Sequence, residues 1–411
     1  IYAGYILRGQ EDNGLYINLY FMAHIPFLAA ILFFRKHSTD FSKLIIVTGL
    51  LFRAVLLFTE PVTSDDHYRY LWEGKMILAG ENPYQIPPND PRLLHLQEST
   101  LPKLVAFPSY TTIYPPLAQL VFAGGYAVSG DSTLGIKLML LIVEFGSLFL
   151  LLSLLRHYKL SPNYILLYAW LPLIPFEFFV NTHIDGFAVF FLLLFLLMLA
   201  KEKSALLTGL AAGAACALKP YAVFALPLIL RKRGFKQTLI IGTAALAFAL
   251  IVYIPFLNAE KSVFDSFSKY MGKWHFNASA YFIFKEWLGA SLARTVVLLS
   301  LAASLLIIAF RYTNFNRALV FCFILAIVFG PTNYPWYMIW LAAVSVLYPL
   351  GAVYWLFYAV NFTNFTPLGK VWIEYNWAMF AEYSVFYALL FYGFVVKRDI
   401  TLKFKEKDAA G

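Results

Sequence analysis

The chain has 411 residues, of which 61% are hydrophobic, 18% aromatic and only 13% charged. Soluble domains carry roughly 25% charged residues, so a soluble fold could not cover its surface with this composition. The net charge of +9 does not call for nucleic acid, because the basic residues stand in short clusters between apolar runs, as membrane-orientation signals do.

Continuous apolar runs of about 15 to 22 residues recur along the chain and predict an all-α polytopic membrane protein. Their continuity excludes a β-barrel, whose strands alternate in period two. The sequence opens on IYAGYIL, which reads as the tail of an earlier helix, and no cleavable signal peptide is expected. The expected spans are 15–34, 43–60, 134–155, 163–180, 186–200, a pair at 204–218 and 220–230, then 237–257, 291–310, 316–330, 335–349, 351–362 and 379–396. That is about thirteen transmembrane helices, several of them short, in one integral-membrane domain over 1–411. The clusters at Arg35, Lys36 and Lys43, at Arg156 and Lys159, at Lys201 and Lys203, from Arg231 to Lys236, at Arg311 and Arg317, and from Lys397 to Lys407 are assigned to the cytoplasm. Residues 117–129, LAQLVFAGGYAVS, would rise only about 20 Å as a helix against a hydrocarbon core of about 30 Å. They are expected to form an interfacial or re-entrant helix. Two large outer regions result, 61–133 and 258–290. Cys216 and Cys322 lie inside apolar segments and read as small core residues.

The first outer region opens with TSDDHYRYLWEGKMILAGENPY, residues 63–84. Ser64 can cap a helix, Asp65 and Asp66 would fill its first turn, and Gly80 can end it. Acids there complement the helix dipole, so a cap explains them without any chemistry. Asp65, Arg69 and Glu73 are spaced to form a charged ladder on one face. Asp66, Tyr70 and Gly74 share the next face, and Trp72 and Met76 a third, suited to the lipid headgroup boundary. Adjacent acids on a helix point about 100° apart, which disfavours a glycosidase-like pair. One can serve as a base while the other orients Arg69 or binds a cation.

NTHIDGF, residues 181–187, opens a span with His183 and Asp185 at the membrane boundary. Helix capping accounts for the pattern; the functional reading aims both residues at the cavity of Asp65 and Asp66. A divalent cation held by these four residues is a further expectation. Lys219, in AACALKPYAVFALPL, would cost about 2.5–3.5 kcal/mol against lipid. It either snorkels to the interface or faces a cavity as a phosphate ligand. TTIYPPLAQL, with Tyr114, and GPTNYPWYMIW, with Tyr334 and Trp336, suit an interfacial aromatic belt and equally a platform for a sugar ring or isoprenoid. The stretch KYMGKWHFNASAYFIFKEW carries Lys269, Lys273, His275 and Lys285 and can guide an anionic headgroup. Asn277, Asn361 and Asn364 match the short N-glycosylation pattern.

In combination, SDD, YRYLWEGKMILAGENPY, IYPPLAQL, NTHIDG, LKPYAVFALPLIL and NYPWYMIW resemble integral-membrane glycosyltransferases of the GT-C fold. They are most similar to bacterial polyprenol-phosphate-mannose-dependent mannosyltransferases, and more distantly to the first GPI mannosyltransferase. The resemblance runs from about residue 60 to 345. One departure is that two spans precede the acidic loop, where these enzymes usually have one. The resemblance implies a polyprenyl-phosphate sugar donor, inverting transfer to a lipid or glycan acceptor, and a catalytic aspartate in the first outer loop, here Asp65 or Asp66. It also implies a bacterial cytoplasmic membrane with the site facing the periplasm or exterior. Such a donor carries a good leaving group, so the enzyme needs a carboxylate for the acceptor proton and cations for the departing phosphate. Lys219, Arg69, Lys273 and His275 are the cationic candidates. Tyr70, Tyr84, Tyr114, His183, Asp185, Tyr334 and Trp336 are the remaining substrate contacts expected. The rival class is a polytopic transporter or flippase of lipid-linked sugars, which would explain the broken spans at 204–230 but not the acidic, aromatic outer loop.

Overall fold

The computed structural model describes residues 10–97, 101–259, 263–368, 373–396 and 398–405. IYAGYIL, Lys397 and the end of the basic tail lie outside these. Among the described residues the protein is all-helical, with two isolated β-bridges and no strand. The helices that matter here are α1 (Gln10–Phe34), α2 (Ser42–Val55), α3 (Asp66–Leu78), α4 (Pro116–Ser129), α5 (Leu134–His157), α6 (Asp185–Ala200), α7 (Ala205–Cys216), α8 (Leu226–Tyr253), α9 (Asp265–Lys273), α10 (Ala280–Leu288), α11 (Ala290–Arg311), α12 (Phe315–Phe329), α13 (Met338–Ser345), α14 (Gly351–Ala359) and α15 (Asn376–Val395).

Among the described residues, five helices are long and apolar enough to cross a membrane, or six if the bent pair Pro162–Ala169 and Leu173–Val180 counts as one span. Several other expected spans appear as shorter apolar helices, including α6, α7 and α12. α8 combines two expected segments, 220–230 and 237–257, across a break at Gly234, where φ is +72°. That backbone conformation favours glycine. The helix predicted at 117–129 forms as α4 and packs across α3 and against α5.

Small residues set the closest packing. Gly209 and Gly213 stand four apart on α7, and a Cβ on them would meet the Ile241 and Ala245 carbonyls of α8 at 2.5 and 2.7 Å. This small-xxx-small spacing lets helix backbones touch where apolar burial alone gives little drive in lipid. Inside the bundle, Arg53 of α2 pairs with Glu144 of α5 at 2.9 Å, both fully buried. Arg53 also donates to the Gly49 and Ala169 carbonyls at 2.8 Å, and the Tyr168 hydroxyl donates to Glu144 at 2.8 Å. A buried charge persists only when paired in this way.

The glycosylation pattern has no accessible acceptor. Asn277, Asn361 and Asn364 are all buried, and Asn277 donates to Glu382 at 2.9 Å. Cys216 and Cys322 are free thiols in the helical core.

Candidate active site

The acidic pair sits where α3 begins. Asp65 occupies the N-cap position, yet its side chain makes no capping bond. The Ser64 hydroxyl accepts the Asp66 amide at 3.2 Å instead. α3 is not a surface helix. Its buried residues include Arg69, Tyr70, Glu73, Gly74, Trp72 and Met76. Trp72 and Met76 are 0% exposed, which corrects the expectation that they face lipid headgroups. On the face of Gly74, α4 lies so close that a Cβ there would stand 2.4 Å from the Phe122 carbonyl oxygen.

The Arg69–Glu73 part of the predicted charged ladder forms. Arg69 pairs with Glu73 at 3.0 Å and donates to the carbonyls of Ala106, Phe107 and Tyr110 at 2.7, 3.0 and 3.3 Å. Glu73 in turn accepts from Thr112 and Gln119, both at 2.7 Å. Arg69 thus pins the loop after α3 onto the helix. Tyr84 donates to the Tyr114 carbonyl at 2.7 Å, and the Tyr114 ring meets Tyr70 edge-on at 5.3 Å. These contacts deliver Tyr70 and Tyr114 to Asp66: the Tyr70 hydroxyl is 3.5 Å from Asp66 Oδ2.

Asp185, the first residue of α6, meets Lys219. Lys219 Nζ lies 2.7 Å from both Asp185 oxygens, and Trp340 Nε1 donates to Oδ1 at 2.9 Å. Asp185 is 0% and Lys219 13% exposed. Lys219 sits in extended backbone between α7 and a 3-10 turn begun by Pro220, so the chain break displays the ammonium at the end of α7. The Tyr337 ring lies 4.9 Å beneath it.

Asp66 lies within electrostatic reach of this pair. Burial pushes the Asp66 carboxyl up, the charges of Lys219 and Arg69 pull it back, and Asp185 raises it again. Burial and the neighbouring Asp66 charge raise Asp65 to about 6, with Arg69 pulling it back. The two acids are therefore not equivalent. Lys219 is among the charges that pull Asp66 back, while Arg69 acts on both acids.

His183 is fully buried. Its ring stacks on Trp336 at 3.8 Å, Trp336 stacks on Tyr334 at 4.5 Å, and Tyr334 on Phe276 at 4.5 Å. Four rings thus tie the 181–184 turn to the second outer region. His183 Nε2 is 3.5 Å from Glu177, but burial first, then Lys219 and His67, hold the imidazole well below its usual pKa. A neutral ring makes no ion pair, and neither ring nitrogen has a hydrogen-bond partner among the described residues. Asn181 holds the entrance to the acidic stretch. Its Oδ1 accepts the Thr63 amide at 3.1 Å and its Nδ2 donates to the Thr63 hydroxyl at 2.8 Å.

Lys273 and His275 are not drawn into this cluster. Both are exposed, and His275 lies 3.0 Å from Lys285. Tyr270, one turn before Lys273, does reach the site: its hydroxyl is 2.7 Å from that of Tyr337. Tyr337 and Trp340 were not among the sequence candidates. Their separation of three residues, one helical turn, was the available signal. Among the described residues no group of three or more His, Cys, Asp or Glu side chains converges as metal ligands would, and both Asp185 oxygens already receive an ammonium.

The arrangement offers a carboxylate beside an ammonium, walled by Tyr70, Tyr114, Tyr270 and Tyr337, which suits proton removal next to an anionic group. No curated protein and no solved structure matches the chain. A family model described as alpha-(1->6)-mannopyranosyltransferase, N-terminal domain, matches residues 12–232, a region that holds Asp65, Asp66, Asp185 and Lys219 and exceeds half of the chain. The chain therefore belongs to the alpha-(1->6)-mannopyranosyltransferase family and is a membrane glycosyltransferase.

Proposed function

We propose that the protein transfers mannose from a polyprenyl-phosphate donor to the 6-hydroxyl of a mannosyl lipid or glycan, with inversion, on the extracytoplasmic face of a bacterial cytoplasmic membrane. The observation that carries this reading is Asp66 set against the Lys219–Asp185 pair. A primary hydroxyl is a weak nucleophile until its proton has somewhere to go, and Asp66 receives it. Asp65, in this reading, stands beside the base and does not take the acceptor proton. As the acceptor oxygen attacks the anomeric carbon, the bond to the phosphate breaks and negative charge develops on the leaving polyprenyl phosphate. The Lys219 ammonium lies on that side and stabilises the charge. Asp185 and Trp340 fix the direction of Lys219, so no reorganisation is needed during the step. The aromatic walls suit sugar rings, and the apolar helices give the isoprenoid a path from the bilayer. The basic clusters face the cytoplasm in this topology, with the shorter helices completing the crossing.

The test is incubation of the purified chain with labelled polyprenyl-phosphate mannose and a mannosyl acceptor. Release of free polyprenyl phosphate together with a product cleaved by an α-1,6-specific mannosidase supports the reading. Donor crossing a bilayer intact, with no release, would establish a transporter instead.

A further inference from the structure

At the far end of α6 and α7 from Asp185 and Lys219 lies a second feature that mannosyl transfer does not use. α6 has 16 residues, a rise of about 24 Å, so this end lies near the opposite side of a hydrocarbon core. Here an open cleft of about 650 Å³ runs between the start of α7 and the broken part of α8. The break at Gly234 places Lys232 and Arg233 before it and Gln237 after it on one rim, facing Lys203 and Ser204.

The lining is cationic, with Lys203, Lys232 and Arg233 against a single carboxylate, Glu202. Arg233 Nη2 donates to the Lys203 carbonyl, which fixes the guanidinium, while its buried Nε has no partner among the described residues. The Lys232 ammonium lies over the Phe315 ring at 5.0 Å and the Tyr158 ring at 6.0 Å, so it is held in place with donors to spare. Beside the cleft, Leu206 is 55%, Phe235 74% and Ile240 39% exposed. A soluble phosphate would need only the cations. Cations continuous with exposed apolar side chains match a molecule with both an anionic head and hydrocarbon tails. Orientation by positive charge accounts for basic residues at this end, but not for a cavity built around them.

We propose that this cleft binds an anionic membrane lipid, its phosphate seated among Lys203, Lys232 and Arg233 and its acyl chains along Leu206 and Ile240. Basic pockets between membrane helices recognise lipid headgroups in this way.

Native mass spectrometry of the full chain in detergent, titrated with phosphatidylglycerol, phosphatidylcholine or inorganic phosphate, tests the proposal. Phosphatidylglycerol is expected to remain bound at concentrations where the other two do not. Lys232→Gln is expected to weaken that binding about fivefold, in line with the attraction of one basic residue to an anionic lipid surface, and Lys203→Gln combined with Arg233→Gln to abolish the preference over phosphatidylcholine. Equal retention of the two lipids by the unmodified protein, equal retention of phosphate alone, or an unchanged preference in Lys232→Gln would each overturn it. The unmodified protein and the single variant decide the matter even if the double variant does not fold.

Discussion

The Lys219–Asp185 pair makes a prediction whose size follows from its burial. Lys219→Met removes the cation from a carboxylate that is 0% exposed, leaving the Trp340 N–H as its one side-chain donor among the described residues. Stranding a buried charge costs about 3–5 kcal/mol. Asp185→Asn strands the lysine instead, but that side chain keeps 13% exposure and regains some water. Its cost is that of one charge-assisted hydrogen bond, about 2 kcal/mol. The double variant has no charge left to strand, so its loss should fall short of the sum by about 2 kcal/mol. Denaturation in mixed detergent micelles measures all three. Losses that add to within about 0.5 kcal/mol would refute the claim that the two side chains act as one unit. Donor turnover supplies a second readout: Asp185→Asn should lower kcat through a misdirected ammonium even where the protein stays folded.

Three further outcomes follow. Asp65 is raised from 3.8 to about 6 in the folded protein, so between these values the folded state holds a proton that the unfolded state has released. Its contribution is therefore most favourable below pH 4 and declines as pH rises through 6; Asp65→Asn should melt higher than the unmodified protein at pH 7.5 and close to it at pH 4.5, as thermal scans can show. Gly74→Ala places a methyl 2.4 Å from a backbone oxygen of α4 and should cost about 1–3 kcal/mol in the same denaturation assay, with no change in the apparent affinity for donor in the folded fraction. Arg69→Lys cannot reproduce four hydrogen bonds from one planar fork; proteolysis should become faster within residues 101–110, where the acceptor carbonyls lie.

The place where buried polar groups gather was legible in the sequence, and their pairing was not. Adjacent acids after an apolar run, NTHIDG at a span end and a lysine at a broken span each marked a place where polar groups need partners; Asp185 and Lys219 do pair, within electrostatic reach of Asp66. Pairing between segments 34 residues apart, as for Asp185 and Lys219, leaves no local periodicity to read. Tyr334 and Trp336 stood out as belt or platform residues, and after Pro335 a short 3-10 turn rotates the chain. Tyr337 and Trp340 then turn to the ion pair, while Tyr334 and Trp336 stack with His183. Trp72 was misjudged because α3 packs inside the bundle, with α4, about fifty residues on, against its Gly74 face. Arg53 was visible as a lone charge in LIIVTGLLFRAVLLF, yet its partner Glu144 lies 91 residues away. Long spans such as α5, α11 and α15 were the most readable elements, since composition and length define them.

The central claim, that Asp66 takes the acceptor proton, is tested most directly by single-turnover transfer from labelled polyprenyl-phosphate mannose with Asp66→Asn and Asp65→Asn side by side. General-base catalysis is worth about 10²–10⁴-fold. The account predicts a loss of that order for Asp66→Asn with donor binding retained, and near-normal transfer for Asp65→Asn at neutral pH. Transfer at full rate by Asp66→Asn, or its collapse in Asp65→Asn alone, would contradict the account.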